Sequence, residues 1–160
     1  MAVAPLAIAY WLHMAATVVW VGGLVFQSAI LAPSLPPDSD LLERVRRRFE
    51  PLAWLSLAVL IGTGLIQMSA SPNYSGLLSI RNGWSAAILA KHAAIGVMVL
   101  AAAYQTWAVQ PRLARLQLAL AAGLGTPETK LLLRRRRALL NLQTATSVLV
   151  LALTAIARSM

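Results

Sequence analysis

Two histidines and one lysine are the only nitrogen bases or cations inside the four long apolar runs of this chain: His13, Lys91 and His92. A lysine at the centre of a membrane helix costs about 2.5–3.5 kcal/mol on insertion scales, and ionisable residues kept there mark ion paths, proton relays or ligand sites. Two imidazoles from facing helices are also a sufficient axial pair for a b-type haem, and helix bundles hold such cofactors in their interiors. Counted from the outer ends of the first and third runs, His13 is 8 residues in, Lys91 is 7 and His92 is 8, roughly 10–12 Å deep at helical rise. The three share one level. Consecutive residues are separated by about 100° around a helix, so only one of Lys91 and His92 turns to His13. Coordination chemistry favours His92 as the partner, with Lys91 as the alternative axial ligand.

Side chains near this level are small. Ala86, Ala87, Ala90, Ala93, Ala94 and Gly96 surround the pair in the third run, and Gly22 and Gly23 follow His13 in the first. Small residues let membrane helices pack closely, and the same lack of volume leaves room for a flat macrocycle. Thr63 and Gln67, in the second run, can hydrogen-bond a haem propionate, a ligand or a water, or satisfy helix backbone. Trp20 lies deeper, where it packs on a cofactor or fills the core. Copper is the competing metal, because Met14, Met68 and Met98 offer soft thioethers for a His/Met copper(I) site. Lys91 counts against it: an ammonium beside a bound cation raises the cost of both, and the runs contain no Asp or Glu. A haem propionate would supply that anion. Without cysteine there is no disulfide, thiolate metal site or thiol redox chemistry. No nucleophile–base set, phosphate loop or carboxylate pair points to hydrolysis or phosphoryl transfer.

These residues need long helices to place them. With 59% hydrophobic and 12% charged residues, against about 25% charged in a soluble domain, the chain reads as an integral membrane protein. Four runs are long enough to cross about 30 Å of hydrocarbon: residues 5–32, 51–70, 84–107 and 138–157. The N-terminal MAVAPLAIAYWLH lacks the cationic start of a secretory signal, so the first run is expected to be a permanent span. Between the first two, prolines stop one helix, Asp40 and Glu43 form a capping pair, and a short basic helix bends at Pro51 into the next span. Gly123 and Gly125 end the third helix, and Thr126 with Pro127 begins the fourth. The third helix projects beyond the bilayer. The sequence suggests neither a soluble domain nor an internal repeat of useful strength.

Arginines set the expected topology, since basic loops stay cytoplasmic. The first connection carries Arg44, Arg46, Arg47 and Arg48, and the third carries Arg112, Arg115, Lys130 and Arg134 to Arg137. The second carries only Arg81. Eleven against one puts both termini outside. All five acids lie in the basic connections, so most of the +9 charge is an orientation signal and a contact for anionic lipid headgroups, with no nucleic acid as partner. Tyr10, Trp11 and Trp84 fall near the outer interface, and Trp54 and Trp107 near the inner one, as aromatic belts do. Asn141, Gln143, Thr144 and Ser147 form a polar stripe expected to glue helices together.

The stretch from His13 through Trp20, Gly22 and Gly23 to Ala32-Pro33 resembles the opening of the short CopD-like membrane proteins. The basic residues before Phe49, the Gly62-Thr63-Gly64 run, Lys91 and Gln110-Pro111-Arg112-Leu113 extend the resemblance to about residue 115. It implies copper movement across a bacterial inner membrane. The HemJ-type protoporphyrinogen oxidases look like relatives, with a histidine in the first span and a lysine in the third, and imply b haem; His13 and Lys91 match those positions, and His92 is an extra. The expectation is an all-α, antiparallel four-helix transmembrane bundle with both termini outside. It would hold haem b between its first and third helices for one-electron transfer to an unidentified redox partner, with copper transport through a His/Met site as the alternative. Homodimerisation through small-residue faces is a further expectation.

Overall fold

A computed structural model of the chain describes residues 3–36, 39–70, 83–121 and 127–159. Four long helices account for nearly all of them. The first, α1, runs Val3–Val25, passes through a π-helical segment Phe26–Leu31 and closes with Ala32–Ser34. The second, α2, is Asp40–Ser69. The third, α3, runs Gly83–Tyr104, through a second π-helical segment Gln105–Val109, into Gln110–Ala121. The fourth, α4, is Pro127–Ser159. Each is long and apolar enough to span a membrane, where a backbone must satisfy its own hydrogen bonds and helices do so.

Three of the helices outrun the expected spans at the end of the bundle that carries the arginines. The basic segment before Pro51 is not a separate helix, because α2 is continuous from Asp40 with Pro51 inside it. Proline removes one backbone donor and one turn's bond, which this 30-residue helix tolerates. The expected Asp40–Glu43 cap is not formed. Ser39 is the N-cap residue without a side-chain bond, and the Glu43 carboxylate is taken by Arg46 (2.6 and 3.0 Å) and Arg47 (3.0 Å). Gly123, Gly125 and Thr126 lie outside the described residues.

The helices associate as two pairs, α1 with α2 and α3 with α4. In the first, Gln67 donates to the Ala9 carbonyl (3.4 Å), His13 meets Thr63 (2.8 Å), and Gly23 faces Phe49. In the second, Gln143 donates to Gln105 (3.2 Å) and Ser147 lies 3.1 Å from the Met98 sulfur. The pairs meet at a core of Trp20, Leu24, Leu57, Met98 and Ala102. A smaller core of Val109, Leu113 and Leu132 closes the arginine end. Val18, Leu55, Leu100 and other large apolar side chains stand exposed around the outside, as lipid-facing positions do.

The second pair repeats the first, although the sequence gives no single period. Trp20 and Met98 touch across an offset of 78 residues. At that same offset Ala16 and Ala94, Leu24 and Ala102, and Leu31 and Val109 are all buried. Gln27-Ser28 and Gln105-Thr106 lie in the two π-helical segments, and Pro33 and Pro111 follow them. In α2 and α4 the offset is 91, from Ser56 to Ser147. Each of these serines bonds the carbonyl four residues back, of Leu52 (2.8 Å) and Gln143 (2.7 Å). Thr63 and Thr154 do likewise to Val59 (2.6 Å) and Val150 (2.7 Å). Two offsets, and freely interchanged apolar residues, hide the repeat from a linear reading.

Gly23 does not leave room for a cofactor, because the ring of Phe49 occupies that space: a Cβ on Gly23 would overlap it. Gly23→Ala should therefore destabilise by about 1–3 kcal/mol, the usual range for overpacking, and Phe49→Ala should remove most of that penalty. Thermal unfolding of the detergent-solubilised variants checks this, and an unshifted midpoint for Gly23→Ala would contradict the packing.

Candidate metal centre

His13 is half-buried on the face of α1 that also carries Ala9, Ala16 and Trp20, all buried. Its Nδ1 lies 2.8 Å from Thr63 Oγ1. The single hydroxyl proton of Thr63 goes to the Val59 carbonyl at 2.6 Å, so in this bond the imidazole donates and the hydroxyl accepts. That places a proton on Nδ1. The ring also lies beside Gly64, where a Cβ would make an ordinary contact with His13 Cε1 at 3.6 Å. Gln67, one turn further along α2, bonds the Ala9 carbonyl. Half-buried Met68 is four residues beyond Gly64 and so lies on the same helix face.

His92 is also half-buried, and its Nδ1 lies 2.7 Å from the Ile88 carbonyl oxygen. A carbonyl only accepts, so this ring too is protonated on Nδ1. Both histidines thus have one feature usual in metal-ligating imidazoles, Nδ1–H donated to a protein oxygen. Lys91 sits seven residues before Met98 as His13 sits seven before Trp20. The Trp20–Met98 contact therefore puts Lys91 at the His13 level, on the α3 face turned toward α1. His92 lies about 100° round from it.

The methionines separate into three situations. Met14 is 65% exposed on the outside of the bundle, Met68 is half-buried on the Gly64 face of α2, and Met98 is buried at the centre. The Trp20 indole N–H points between Met98 Sδ (3.2 Å) and Ser147 Oγ (3.1 Å), so Trp20 is a core residue tying three helices together. Among the described residues no group of three or more His, Cys, Asp or Glu side chains is arranged to hold a metal. Any centre at the His13 level draws on imidazole, thioether or amine donors.

A family model for Copper resistance protein D, CopD, matches residues 43–157. The chain belongs to the CopD family. The match takes in Gly62-Thr63-Gly64, Lys91 and Gln110 to Leu113, and begins after His13, Trp20 and the rest of α1. Similarity to the HemJ-type oxidases is not shown. No curated protein and no solved structure matches the chain. Copper, second to haem on the residues alone, is the chemistry that CopD membership favours; haem gains no support.

Beyond the His13 level, the CopD chain holds a second polar cluster that motifs alone do not reveal. Two cavities of about 50 Å³ each lie between Trp20 and the arginine end, both lined by Gln27, Arg46 and Gln105. Neither volume suits a macrocycle. The signal in the sequence is the pair Phe26-Gln27-Ser28 and Tyr104-Gln105-Thr106, but it needs the helix register to be recognised. Near this level Trp54 and Trp107, expected as separate interface anchors, stack on each other at 5.2 Å.

Trp20→Phe keeps most of the buried ring area but removes the N–H shared by Met98 and Ser147. It should cost about 1 kcal/mol, as single hydrogen bonds inside membrane bundles do, while Trp20→Ala should cost about 3–5 kcal/mol through the cavity it leaves. Reversible unfolding in mixed micelles gives both numbers; equal losses would mean that the N–H carries the whole effect.

Proposed function

We propose that this CopD-family protein carries copper(I) across the membrane, taking it up at the His13 level. In this reading the bundle is antiparallel, both termini lie outside, and the arginine end faces the cytoplasm of a bacterium. The charge asymmetry of the connections supports that orientation. The observation that carries the copper reading, together with the family, is the contact of His13 Nδ1 with Thr63 Oγ1, the kind of outer hydrogen bond that orients metal-ligating imidazoles. Imidazole and thioether are donors suited to copper(I). Met68, one helical turn from Gly64 on α2, is the sulfur partner.

From there soft and polar donors continue inward. Met98 lies two turns deeper, held by Trp20 and Ser147, and Gln27, Gln105 and Gln143 line the cavity below. A cation passing along the bundle would meet sulfur, then carboxamide oxygen, at successive levels. Passage needs sites that bind well enough to accept the ion and weakly enough to release it, which a short series of two- or three-donor sites provides.

In purified protein, His13→Ala should abolish copper(I) binding measured by competition with a chromophoric copper(I) chelator. Thr63→Val should weaken it by about 10–100-fold, as loss of an outer hydrogen-bond partner does, and Thr63→Ser should retain it. Unchanged affinity in His13→Ala would sink the proposal, and a Soret band with stoichiometric iron in the purified protein would return the reading to haem. Because the chain has no cysteine, single cysteines report orientation directly. An impermeant thiol reagent added to intact cells should label a variant near the N-terminus such as Ala4→Cys, and should leave Arg134→Cys unlabelled until the membrane is opened.

A further inference from the structure

The arginine end contains a site that copper passage does not require. One of the cavities lies where equivalent residues of the two repeats converge: Gln27 with Gln105, Leu42 with Leu133, and Arg46 with Arg137. Arg136 lines it beside them.

Positive charge there exceeds negative. Arg46 is saturated, with Nε and Nη2 on Glu43 and Nη1 on Glu50 at 2.7 Å. Glu43 also serves Arg47 at 3.0 Å and stands 4.0 Å from Arg136. Arg137 donates to the Ala32 carbonyl at 2.9 Å, which leaves its charge uncompensated. Three guanidiniums, those of Arg46, Arg47 and Arg136, therefore share two carboxylates, and Arg137 adds a fourth charge beside them. The Arg136 side chain is only 13% exposed, and its one described polar approach is that long one to Glu43. Gln27 is 8% exposed, lines the same cavity, and its carboxamide makes no hydrogen bond with a described residue. The Arg136 guanidinium and the Gln27 carboxamide thus line one cavity, the first with only a shared and distant counter-ion and the second without a hydrogen bond to a described residue.

We propose that this cavity binds a tetrahedral oxyanion of the phosphate class, with Arg136 and Arg137 as the charged donors and the Gln27 and Gln105 amides completing the shell. Guanidinium forks match phosphate oxygens in pairs, and a cavity of about 50 Å³ accepts one such group rather than a larger anion. The phosphate is either a free ion or the headgroup phosphate of a lipid entering from the membrane surface. Nothing in this proposal depends on copper, so it stands or falls separately from the transport reading.

The test uses the full chain, metal-free, in a neutral detergent. Its thermal midpoint is followed against inorganic phosphate, with chloride at matched ionic strength as control, and separately against phosphatidylglycerol doped into the micelles, with phosphatidylcholine as control. A rise with inorganic phosphate assigns a free anion, and a rise with phosphatidylglycerol alone assigns the lipid headgroup; either supports the site. Arg136→Gln and Gln27→Leu should each weaken the apparent affinity by about tenfold or more, the effect of losing one hydrogen bond to a charged group, while the exposed Arg134→Gln should not. No shift with either probe overturns the proposal, as does a shift that both cavity variants retain. If Arg136→Gln fails to fold, Gln27→Leu, which removes no charge, decides alone.

Discussion

The indole N–H of Trp20 sets the register of the bundle. It reaches one sulfur on α3 and one hydroxyl on α4 from a residue on α1, and the core cluster around it adds Leu57 from α2. Inside a membrane, water cannot satisfy such a donor, so the donor finds its acceptors within the protein or the helices separate. Once Trp20 and Met98 are at one level, helical rise fixes the rest. Two turns toward one end come His13 and Lys91; two turns toward the other come Gln27 and Gln105. A donor and a soft acceptor at the crossing point thus decide which residues can share a site.

That register also lines up the second helical hairpin with the first. Paired hairpins meeting along an axis normal to the membrane are a common transporter plan, with sites at the interface between them. Here the aligned positions differ in kind from one end of that interface to the other. Near the arginine end they remain alike, with glutamine matched to glutamine, leucine to leucine and arginine to arginine. At the other end they differ, with His13 matched to Lys91 and Met14 to His92.

Much of the architecture was legible in the residues. The four helices follow from run length and the scarcity of charge, and the level shared by His13, Lys91 and His92 follows from counting. What escaped depends on rotation and partner choice, which apolar helices specify weakly because alanine, valine and leucine interchange on lipid-facing and core-facing positions alike. Counting could not show that His13 meets Thr63 on α2, that the ring of Phe49 fills the space above Gly23, or that Trp20 belongs to the core. Nor could it show α2 running straight through Pro51, since a long helix absorbs the loss of one bond. The preference for haem combined an axial pair of imidazoles and an anion for Lys91 with small residues read as empty volume; at Gly23 that volume is filled by the ring of Phe49.

Lys91 opposes a resident copper ion but not a passing one. At the His13 level, in segments without Asp or Glu, a cationic side chain would make a poor neighbour for a metal meant to stay. For an ion meant to pass, the same repulsion shortens residence, and transit sites work only if departure is as easy as arrival. A resident metal centre and a transit site differ less in their ligands than in what surrounds them. In the proposed transit site, a lysine at the depth of His13 would set how long a soft cation stays.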